Sequence, residues 1–396
     1  MITRLKIENF KSLRDVEIRP GRVNIFFGPN GSGKSNLLDV LRVLKGFGLG
    51  MTVDQVFNQP STQPAFGLWP GIRGGSSHAV FRGRAGSGND RFRVSITCIS
   101  DAAEYSYRAT VSPDKNWFLA QSAEHESGKP GISYKLDESG HQRIHLIWPN
   151  DIGPFAEPVL PPDRPFFVNQ LPQGIQELGE SVRSSLDSIQ MLDLVPFILR
   201  ERSRSVRAKR LGPQGENLAS VVKAIFEETD HKESVLAWLR ELLEEPIEDL
   251  TPKQAEENEV YLRMRQFGHK FSASSLSDGT LRFIALVAAF FQPVPPGVLL
   301  IEEIENGIHP SRLRLVLELI KSQSERTGTQ VFLTTHSPAL LAWLREDDYA
   351  HTYFSRRDPE TGGSEFTPLS EIPHFLDVVK KHSLLELATE GWFETV

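Results

Sequence analysis

Short segments with alternating polar and apolar residues open the chain, a pattern typical of strands that are buried on one face. Residues 3–7 and 14–18 have this pattern, and 23–27 is a more continuous apolar segment. Residues 36–45 then carry leucines at helical spacing, and we expect Gly46 and Gly48 to end that helix. The opening of the chain therefore predicts strand, turn, strand, strand and helix.

The middle of the chain changes pattern several times. Residues 51–75 are rich in Pro, Gly, Gln and Ser and are predicted to be loop. Alternating segments between residues 92 and 147 predict an antiparallel β meander, and a proline-rich extended connection follows at 154–172. From 175 to about 243 the spacing is helical, without sustained heptads, and a further strand is predicted at 261–264.

Composition narrows the class of protein. Apolar residues make up 39% and charged residues 24% of the 396, as in soluble globular proteins. The net charge of −7 argues against a wholly basic nucleic-acid binder but leaves a local basic groove open. Cys98 is the only cysteine, which excludes a disulfide framework and a Cys-based metal site. Without an apolar run of membrane-spanning length or a signal peptide, we expect a cytoplasmic protein.

The segment between the third strand and the first helix carries candidate chemistry. Residues 28–35 read Gly-Pro-Asn-Gly-Ser-Gly-Lys-Ser and fit G-x-x-x-x-G-K-[S/T], the loop that wraps nucleotide phosphates. Glycines let backbone amides approach the phosphate, and the helix N-terminus favours an anion. We expect Lys34 to bridge the β- and γ-phosphates and Ser35 to ligate Mg²⁺. The predicted nucleotide contacts are Asn30, Gly31, Ser32, Gly33, Lys34, Ser35 and Asn36.

Three later motifs add further candidate residues. Ser277 can cap the apolar helix 281–291, and Gly279 exposes amides at its positive end, although a capped core helix would look the same. The buried strand 298–301 ends in two glutamates, of which Glu302 is expected to hold Mg²⁺ through water and Glu303 to polarise the attacking water. The next buried strand ends in His336, which can hydrogen-bond the γ-phosphate and that water.

These four motifs, in this order, resemble ABC-type ATPases of the RecF/SMC/OLD group. The resemblance is sharpest for stand-alone "predicted ATPases" of the AAA_21 type and includes the opening Leu-x-Ile-x-Asn-Phe-Lys-Ser at residues 5–12. It implies an α/β P-loop NTPase fold of the ABC-ATPase head type, with a mixed β-sheet core, an antiparallel β subdomain and a helical insertion. We expect one head over residues 1–396, divided into an N-terminal lobe at 1–172, the helical insertion at 173–255 and a C-terminal lobe at 256–396.

The resemblance also implies ATP and Mg²⁺ as ligands and a homodimer as the working assembly, with higher oligomers left open. Each ATP would lie between Lys34 and Ser35 of one chain and Ser277 and Gly279 of the other, and its hydrolysis would release the dimer.

This sequence departs from the group's pattern in two places. Glu302 stands where most ABC proteins have aspartate, and Ile304 stands where proline is usual. The glutamine loop is not identified by the sequence, which offers Gln55, Gln59 and Gln63 as candidates.

The leading hypothesis is an ATPase subunit that controls a separately encoded effector, such as a nuclease, a Toprim protein or a toxin. About sixty residues follow His336, too few for the Toprim nuclease domain of OLD nucleases. Stand-alone ATPases of this kind often belong to anti-phage defence systems. The alternatives are a RecF-like DNA repair ATPase and an ATP-dependent scaffold with little hydrolysis.

One basic stretch could contact nucleic acid. It places six cations within eleven residues, enough to neutralise several phosphates. Glu201 interrupts it and no aromatic residue interleaves for base stacking, so a solvated or partner-binding helix face is the alternative. The cations are Arg200, Arg202, Arg204, Arg207, Lys209 and Arg210.

Overall fold

The computed structural model describes residues 1–58, 69–83, 90–99, 104–125, 131–136, 142–148, 151–154, 161–169, 171, 175–204, 207–243, 245, 247–255 and 258–395. The strands are β1 Ile2–Phe10, β2 Leu13–Ile18, β3 Val23–Phe27, β4 Phe92–Ile99, β5 Glu104–Ser112, β6 Trp117–His125, β7 Gly131–Leu136, β8 Gln142–Trp148, β9 Asp151–Pro154, β10 Ile189–Leu192, β11 Ser203–Arg204, β12 Asp249–Gln254, β13 Glu259–Gln266, β14 His269–Ser272, β15 Val298–Ile301, β16 Gln330–Thr335, β17 Thr352–Arg357 and β18 Ser364–Pro368. The helices are α1 Lys34–Gly48, α2 Val53–Asn58, α3 Gln176–Asp187, α4 Pro196–Leu199, α5 Leu218–Glu228, α6 Lys232–Leu242, α7 Asp278–Phe291, α8 Leu313–Thr327, α9 Pro338–Leu341, α10 Phe375–Val378 and α11 Leu384–Thr389.

The chain divides into two compact units. The first comprises Met1–Gln190, Asp347–Leu376 and Phe393–Val396, and the second comprises Met191–Glu346 and Asp377–Trp392. Both units are built from more than one segment of the chain, so neither folds from a single continuous stretch.

An eight-stranded antiparallel sheet dominates the first unit. Its strand order is β2-β1-β4-β5-β6-β7-β8-β9, which confirms the predicted opening strands and the predicted meander. In β4 the residues alternate between buried and solvent-facing positions, as expected for a sheet with one packed face. The buried face includes Phe92, Tyr105, Tyr107 and Phe118.

The strand that leads into the phosphate loop is nearly all buried. β3 pairs parallel with β17, and β17 pairs antiparallel with β18, so this part of the first unit is a mixed sheet. Phe26 stacks on Tyr353 with ring centroids 5.0 Å apart, and Phe27 packs edge-on against Phe393 at 5.0 Å. These contacts fix the end of β3, from which the phosphate loop starts.

The prediction that Gly46 and Gly48 end the first helix is wrong for Gly46, through which α1 continues, and is confirmed for Gly48, the last residue of α1. Both glycines also allow close packing. A Cβ on Gly46 would lie 2.6 Å from Val56 Cγ2, and one on Gly48 would lie 2.4 Å from the backbone nitrogen of Asp187. Glycine at these positions lets α1 approach its neighbours inside the unit.

The loop prediction for residues 51–75 is also corrected in part. Val53–Asn58 forms the short helix α2, with Val53, Val56 and Phe57 buried. The remainder of that prediction at 59–68 falls outside the described residues. In the predicted connection at 154–172, the described part contains a short 3₁₀ turn at Phe166–Val168.

The second unit combines helices with two small sets of strands. β13 pairs antiparallel with β11, β12 and β14, while β15 and β16 form a parallel pair. Of the helices in the predicted helical region, α3 belongs to the first unit and α4 to α6 belong to the second, and the predicted strand at 261–264 lies inside β13. Ten residues of α7 are buried, namely Leu281 and the nine residues Phe283–Phe291. This helix is therefore part of the core.

No helix within the described ranges is both long and apolar enough to cross a membrane.

Replacing Gly48 with alanine tests the packing role of this glycine. A free helical site gains up to about 1 kcal/mol of stability from Gly→Ala. At Gly48 the new methyl group meets backbone atoms of Leu186 and Asp187, which cannot rotate away. We expect Gly48→Ala to destabilise the protein by about 1–3 kcal/mol, as other overpacked sites do. A thermal melt checks the sign, and an unchanged or higher Tm contradicts the packing argument.

Candidate functional site

The phosphate loop joins the buried end of β3 to the first turn of α1. Gly28 and Gly33 have φ of 141° and 110°, a region that favours glycine. Steric contacts also require glycine at both positions. A Cβ on Gly28 would lie 2.2 Å from Ser355 O, and a Cβ on Gly33 would lie 2.1 Å from Ser364 Oγ. The loop backbone therefore takes a path that only glycine permits, and it ends at a helix N-terminus.

Lys34 lies inside this loop. Its side chain is buried, and its ammonium donates hydrogen bonds to Gly28 O at 2.7 Å and to Pro29 O at 2.9 Å. Pro29, Asn30 and Gly31 form the exposed tip. The ammonium is thus held among loop carbonyls at the place where a phosphate group would be wrapped.

Several serines support the loop from distant parts of the sequence. Ser32 Oγ and Ser355 Oγ are 2.7 Å apart, and Ser12 Oγ and Ser364 Oγ are also 2.7 Å apart. Asn36, a predicted nucleotide contact, uses its amide to donate to Ser12 Oγ at 2.7 Å. The amide of Asn36 thus supports the loop, a role that the sequence motif did not indicate.

Arg357 is another supporting residue. Its Nε donates to Gly31 O at 2.7 Å and its Nη1 to Gly362 O at 2.6 Å. Nothing in the local sequence around Arg357 signals this function, because its partner lies 326 residues away.

A buried carboxylate anchors the helix that follows the loop. Asp39 is fully buried and accepts from Lys11 at 2.6 Å, from Arg42 at 3.4 Å and from Arg73 at 3.4 Å. Burial lowers the pKa of the Lys11 ammonium, and the charge of Asp39 acts in the opposite direction. Arg73 also donates to Ser35 O at 3.2 Å, which brings a half-exposed guanidinium to the end of the phosphate loop. Sequence analysis did not single out Asp39 or Arg73.

These features fit a bound nucleotide. The loop supplies a backbone path free of Cβ atoms, a helix N-terminus and a lysine, the combination that binds phosphates. Among the described residues, no group of three or more His, Cys, Asp or Glu side chains could hold a metal alone. Mg²⁺ in ATPases is usually held by few protein oxygens together with phosphate oxygens, so it would enter with the nucleotide.

Of the three candidates for the glutamine loop, Gln55 lies within the described residues. Gln55 Oε1 accepts from Thr52 N at 2.9 Å, and Gln55 N donates to Thr52 Oγ1 at 3.2 Å. This reciprocal pair caps the start of α2. Gln59 and Gln63 lie outside the described residues.

In the second unit, Ser277 is the N-cap of α7, as predicted. Its Oγ accepts from Thr280 N at 3.1 Å. Gly279 has a packing role as well, since a Cβ there would lie 2.7 Å from Gly307 O. Arg200 binds this helix start, donating to Asp278 Oδ1 at 2.5 Å and to Leu276 O at 2.9 Å.

A groove of about 460 Å³ opens beside the start of α7. Its polar lining includes Ser277, Thr280, His309 and Arg312, and Phe271 is among its apolar residues. Ser277 is exposed and lies on the wall of this groove, which has both charged and apolar side chains.

The two glutamates follow β15, and their backbone is tied to the end of β16. Glu303 has φ of 49°, which is unusual for a residue with a Cβ. Its N–H donates to Thr334 Oγ1 at 2.9 Å, and the next N–H, of Ile304, donates to Thr334 O at 3.1 Å. A proline at 304 could not make the second bond, which gives the departure from the family pattern a physical reason.

The carboxylate of Glu303 faces a histidine and an amide. Glu303 Oε1 lies 3.6 Å from His336 Nε2, and Glu303 Oε2 accepts from Asn306 Nδ2 at 2.6 Å. A cavity of about 30 Å³, enough for a water molecule, is lined by Glu302, Glu303 and Asn306 together with Arg282. The structure therefore brings Glu303 and His336 together at the ends of the parallel strands β15 and β16.

The basic stretch is partly neutralised by acids. Besides the pair of Arg200 with Asp278, Arg202 lies 3.4 Å from Glu259 and Arg207 lies 2.7 Å from Glu228. Ion pairing reduces the charge that these arginines offer to a phosphate backbone. The side chains of Arg204 and Lys209 are exposed.

Comparisons with known proteins agree with the geometry. The AAA_21 family model, described as "AAA domain, putative AbiEii toxin, Type IV TA system", matches residues 23–342. An "ATP/GTP phosphatase" of Helicobacter pylori is 23% identical over 367 residues, which span 89% of this chain and 90% of that protein. The DNA replication and repair protein RecF of Citrifermentans bemidjiense is 41% identical, but over 44 residues only, 11% of this chain and 12% of RecF.

Solved structures share the fold at low sequence identity. An SMC head bound to the C-terminal winged-helix domain of ScpA aligns with a TM-score of 0.55 and 16% identity, covering 93% of this chain and 98% of that one. An SMC head with an extended coiled coil, bound to the C-terminal domain of ScpA from Pyrococcus furiosus, aligns with a TM-score of 0.53 and 15% identity, covering 96% and 99%. The architecture is that of an ABC-type ATPase head, as the sequence predicted.

Proposed function

Because this chain belongs to the AAA_21 family and is an ABC-type ATPase, we propose that ATP joins two copies of it into a dimer. In this proposal each ATP contacts Lys34 and Ser35 of one chain and Ser277 and Gly279 of the other. The exposed, capped start of α7 beside a groove of about 460 Å³ is the observation that carries the proposal. The first amides of a helix lack partners inside the helix and attract an anion, so α7 offers a phosphate site to a second copy.

The residues have separate chemical roles in hydrolysis. Lys34 and the loop amides of residues 30–36 bind the phosphates and neutralise their charge. Ser35 and, through water, Glu302 would hold Mg²⁺, which would supply positive charge beside the phosphate oxygens. Glu303 accepts a hydrogen bond from the attacking water, and His336 orients the γ-phosphate and that water. The position of His336 next to Glu303 supports this pairing of roles.

The dimer controls a separately encoded effector in bacterial anti-phage defence. ATP binding closes two heads and hydrolysis reopens them, so an effector bound to either form would be switched by the nucleotide. The family description, which names a putative toxin and a type IV toxin–antitoxin system, supports a role in such a multi-protein system.

Mixing two defective variants tests whether the ATP sites are shared between chains. Lys34→Ala removes the ammonium, and Ser277→Asp keeps a capping oxygen while its charge repels the γ-phosphate. Each variant alone is expected to lose nearly all ATPase activity. In an equal mixture, about half the dimers are mixed and each has one intact site, so about a quarter of the activity returns. Phosphate release measures this recovery, and its absence under conditions where the two variants exchange subunits contradicts shared sites.

A substitution at Glu303 tests the assignment of the base. Glu303→Gln keeps the side-chain shape but removes the proton acceptor, so ATP should still bind while turnover falls by at least about a hundredfold. The ATP complex should then accumulate as a dimer, measured by light scattering after size exclusion with ATP and Mg²⁺. Glu318→Gln, on the exposed face of α8, is the matched control. Wild-type phosphate release from Glu303→Gln would exclude Glu303 as the base, whereas low turnover in both the unmodified protein and the control would favour a scaffold.

A second candidate is a RecF-like ATPase that binds DNA, favoured by the short match to RecF and by the exposed side chains of Arg204 and Lys209. If this face binds DNA, reversing both charges to Glu should weaken binding about tenfold or more and reduce its salt dependence. The matched control reverses Lys380 and Lys381, an exposed pair elsewhere in the second unit. Fluorescence anisotropy with duplex DNA at several salt concentrations measures both effects. Equal affinity of the two double variants assigns the basic stretch to another role.

A further inference from the structure

The turn that follows the two glutamates contains a third carboxylate, Glu305, which the proposed reaction does not use. Its Oε1 accepts a hydrogen bond from the backbone N–H of His336 at 2.5 Å. Its Oε2 is buried and has no hydrogen-bond partner among the described residues. A buried carboxylate oxygen without a donor is costly, so the position of Glu305 needs a reason beyond stability.

The backbone of the neighbouring residue Glu303 indicates why Glu305 occupies this position. A glutamate with φ of 49° persists only where surrounding contacts hold it, because the left-handed region disfavours residues with a Cβ. Two hydrogen bonds to Thr334 hold its backbone, and Asn306 holds one carboxylate oxygen. All of these contacts fix Glu303, but none of them acts on the histidine that faces it.

The bond from Glu305 fixes the histidine. His336 is the first residue after β16, and both it and Glu303 have partly exposed side chains, at 32% and 42%. Thr334 ties the 303–304 backbone to the end of β16, and Glu305 ties the His336 backbone to the same turn. These connections lie on either side of Thr335, and together they hold the His336 backbone beside the turn that carries Glu303.

We propose that Glu305 is a positioning residue for hydrolysis, which holds the backbone of His336 so that its imidazole stays beside the Glu303 carboxylate. This inference rests on the roles proposed above for Glu303 and His336. Glu305 needs only one acceptor oxygen for this task, because its second oxygen makes no bond within the described structure. The charge of Glu305 is therefore dispensable, whereas its acceptor is required.

Two substitutions of Glu305 test whether an acceptor oxygen is required at this position. Glu305→Gln keeps an oxygen that can accept from His336 N–H and removes the negative charge. Glu305→Met fills a similar volume without an acceptor. We expect Glu305→Met to lower kcat about tenfold to a hundredfold, the scale of a misplaced catalytic group, with little change in KM. Glu305→Gln should retain most of the turnover.

A double-mutant cycle with His336→Ala tests whether Glu305 acts through the histidine. Once the imidazole is gone, there is nothing left to position, so adding Glu305→Met should cost less than about twofold in kcat. A residue that only stabilises the fold would lower kcat by a similar factor in both backgrounds. Thermal melts and titrations with a fluorescent ATP analogue accompany each variant, and Glu305→Ala replaces Glu305→Met if the latter does not fold.

The possible outcomes are distinct. A large effect of Glu305→Met in the normal background, rescue by Gln and no effect without the imidazole support the inference. Equal losses in both backgrounds, or a Gln variant as slow as the Met variant, overturn it while leaving the roles of Glu303 and His336 intact. Normal turnover of His336→Ala overturns both the proposed role of the histidine and the inference that rests on it.

Discussion

The close approach of backbone to backbone around the phosphate loop is the constraint on which the first unit depends. A side chain at Gly28 or Gly33 would occupy the space of Ser355 and Ser364, so the loop, β17 and β18 fit together only when glycine is present. The same fit holds Lys34 within the loop and leads the loop into the N-terminus of α1, an end of a helix that favours an anion. Phosphate binding and packing thus use one set of glycines, and neither can change without the other.

Local patterns in the sequence were sufficient to predict many of the strands and helices and the motifs that lie at their ends. Alternation along β4 and the apolar run of β15 each depend on neighbours in the chain, and both strands lie where the pattern predicts. Glu303 and His336 were also predictable as a pair, because two consecutive parallel strands bring their carboxyl ends to one edge. The residues of the candidate site could therefore be predicted from their positions at the ends of these strands, whereas much of the packing elsewhere could not.

The features that were missed depend on contacts between distant residues. Gly46 resembles a helix end in sequence, but α1 continues through it to Gly48, and the close approach of Val56 is what requires a glycine there. The support of the loop by Ser355 and Arg357 has no local signal, since each is hydrogen-bonded to a residue more than 320 positions away. Burial of Asp39 among three cations likewise follows only from the tertiary structure.

The distance along the chain between the phosphate loop and its supports has a consequence for biosynthesis. Ser355, Arg357 and Ser364 are translated some 320 to 350 residues after the loop segments that they contact. Domains fold as the ribosome releases them, N-terminal parts first. Here the loop lacks its backing until β17 and β18 have left the exit tunnel, so a nascent chain cannot build a complete phosphate site. Nucleotide binding is thereby reserved for chains whose β17 and β18 have been synthesised and have folded onto the loop.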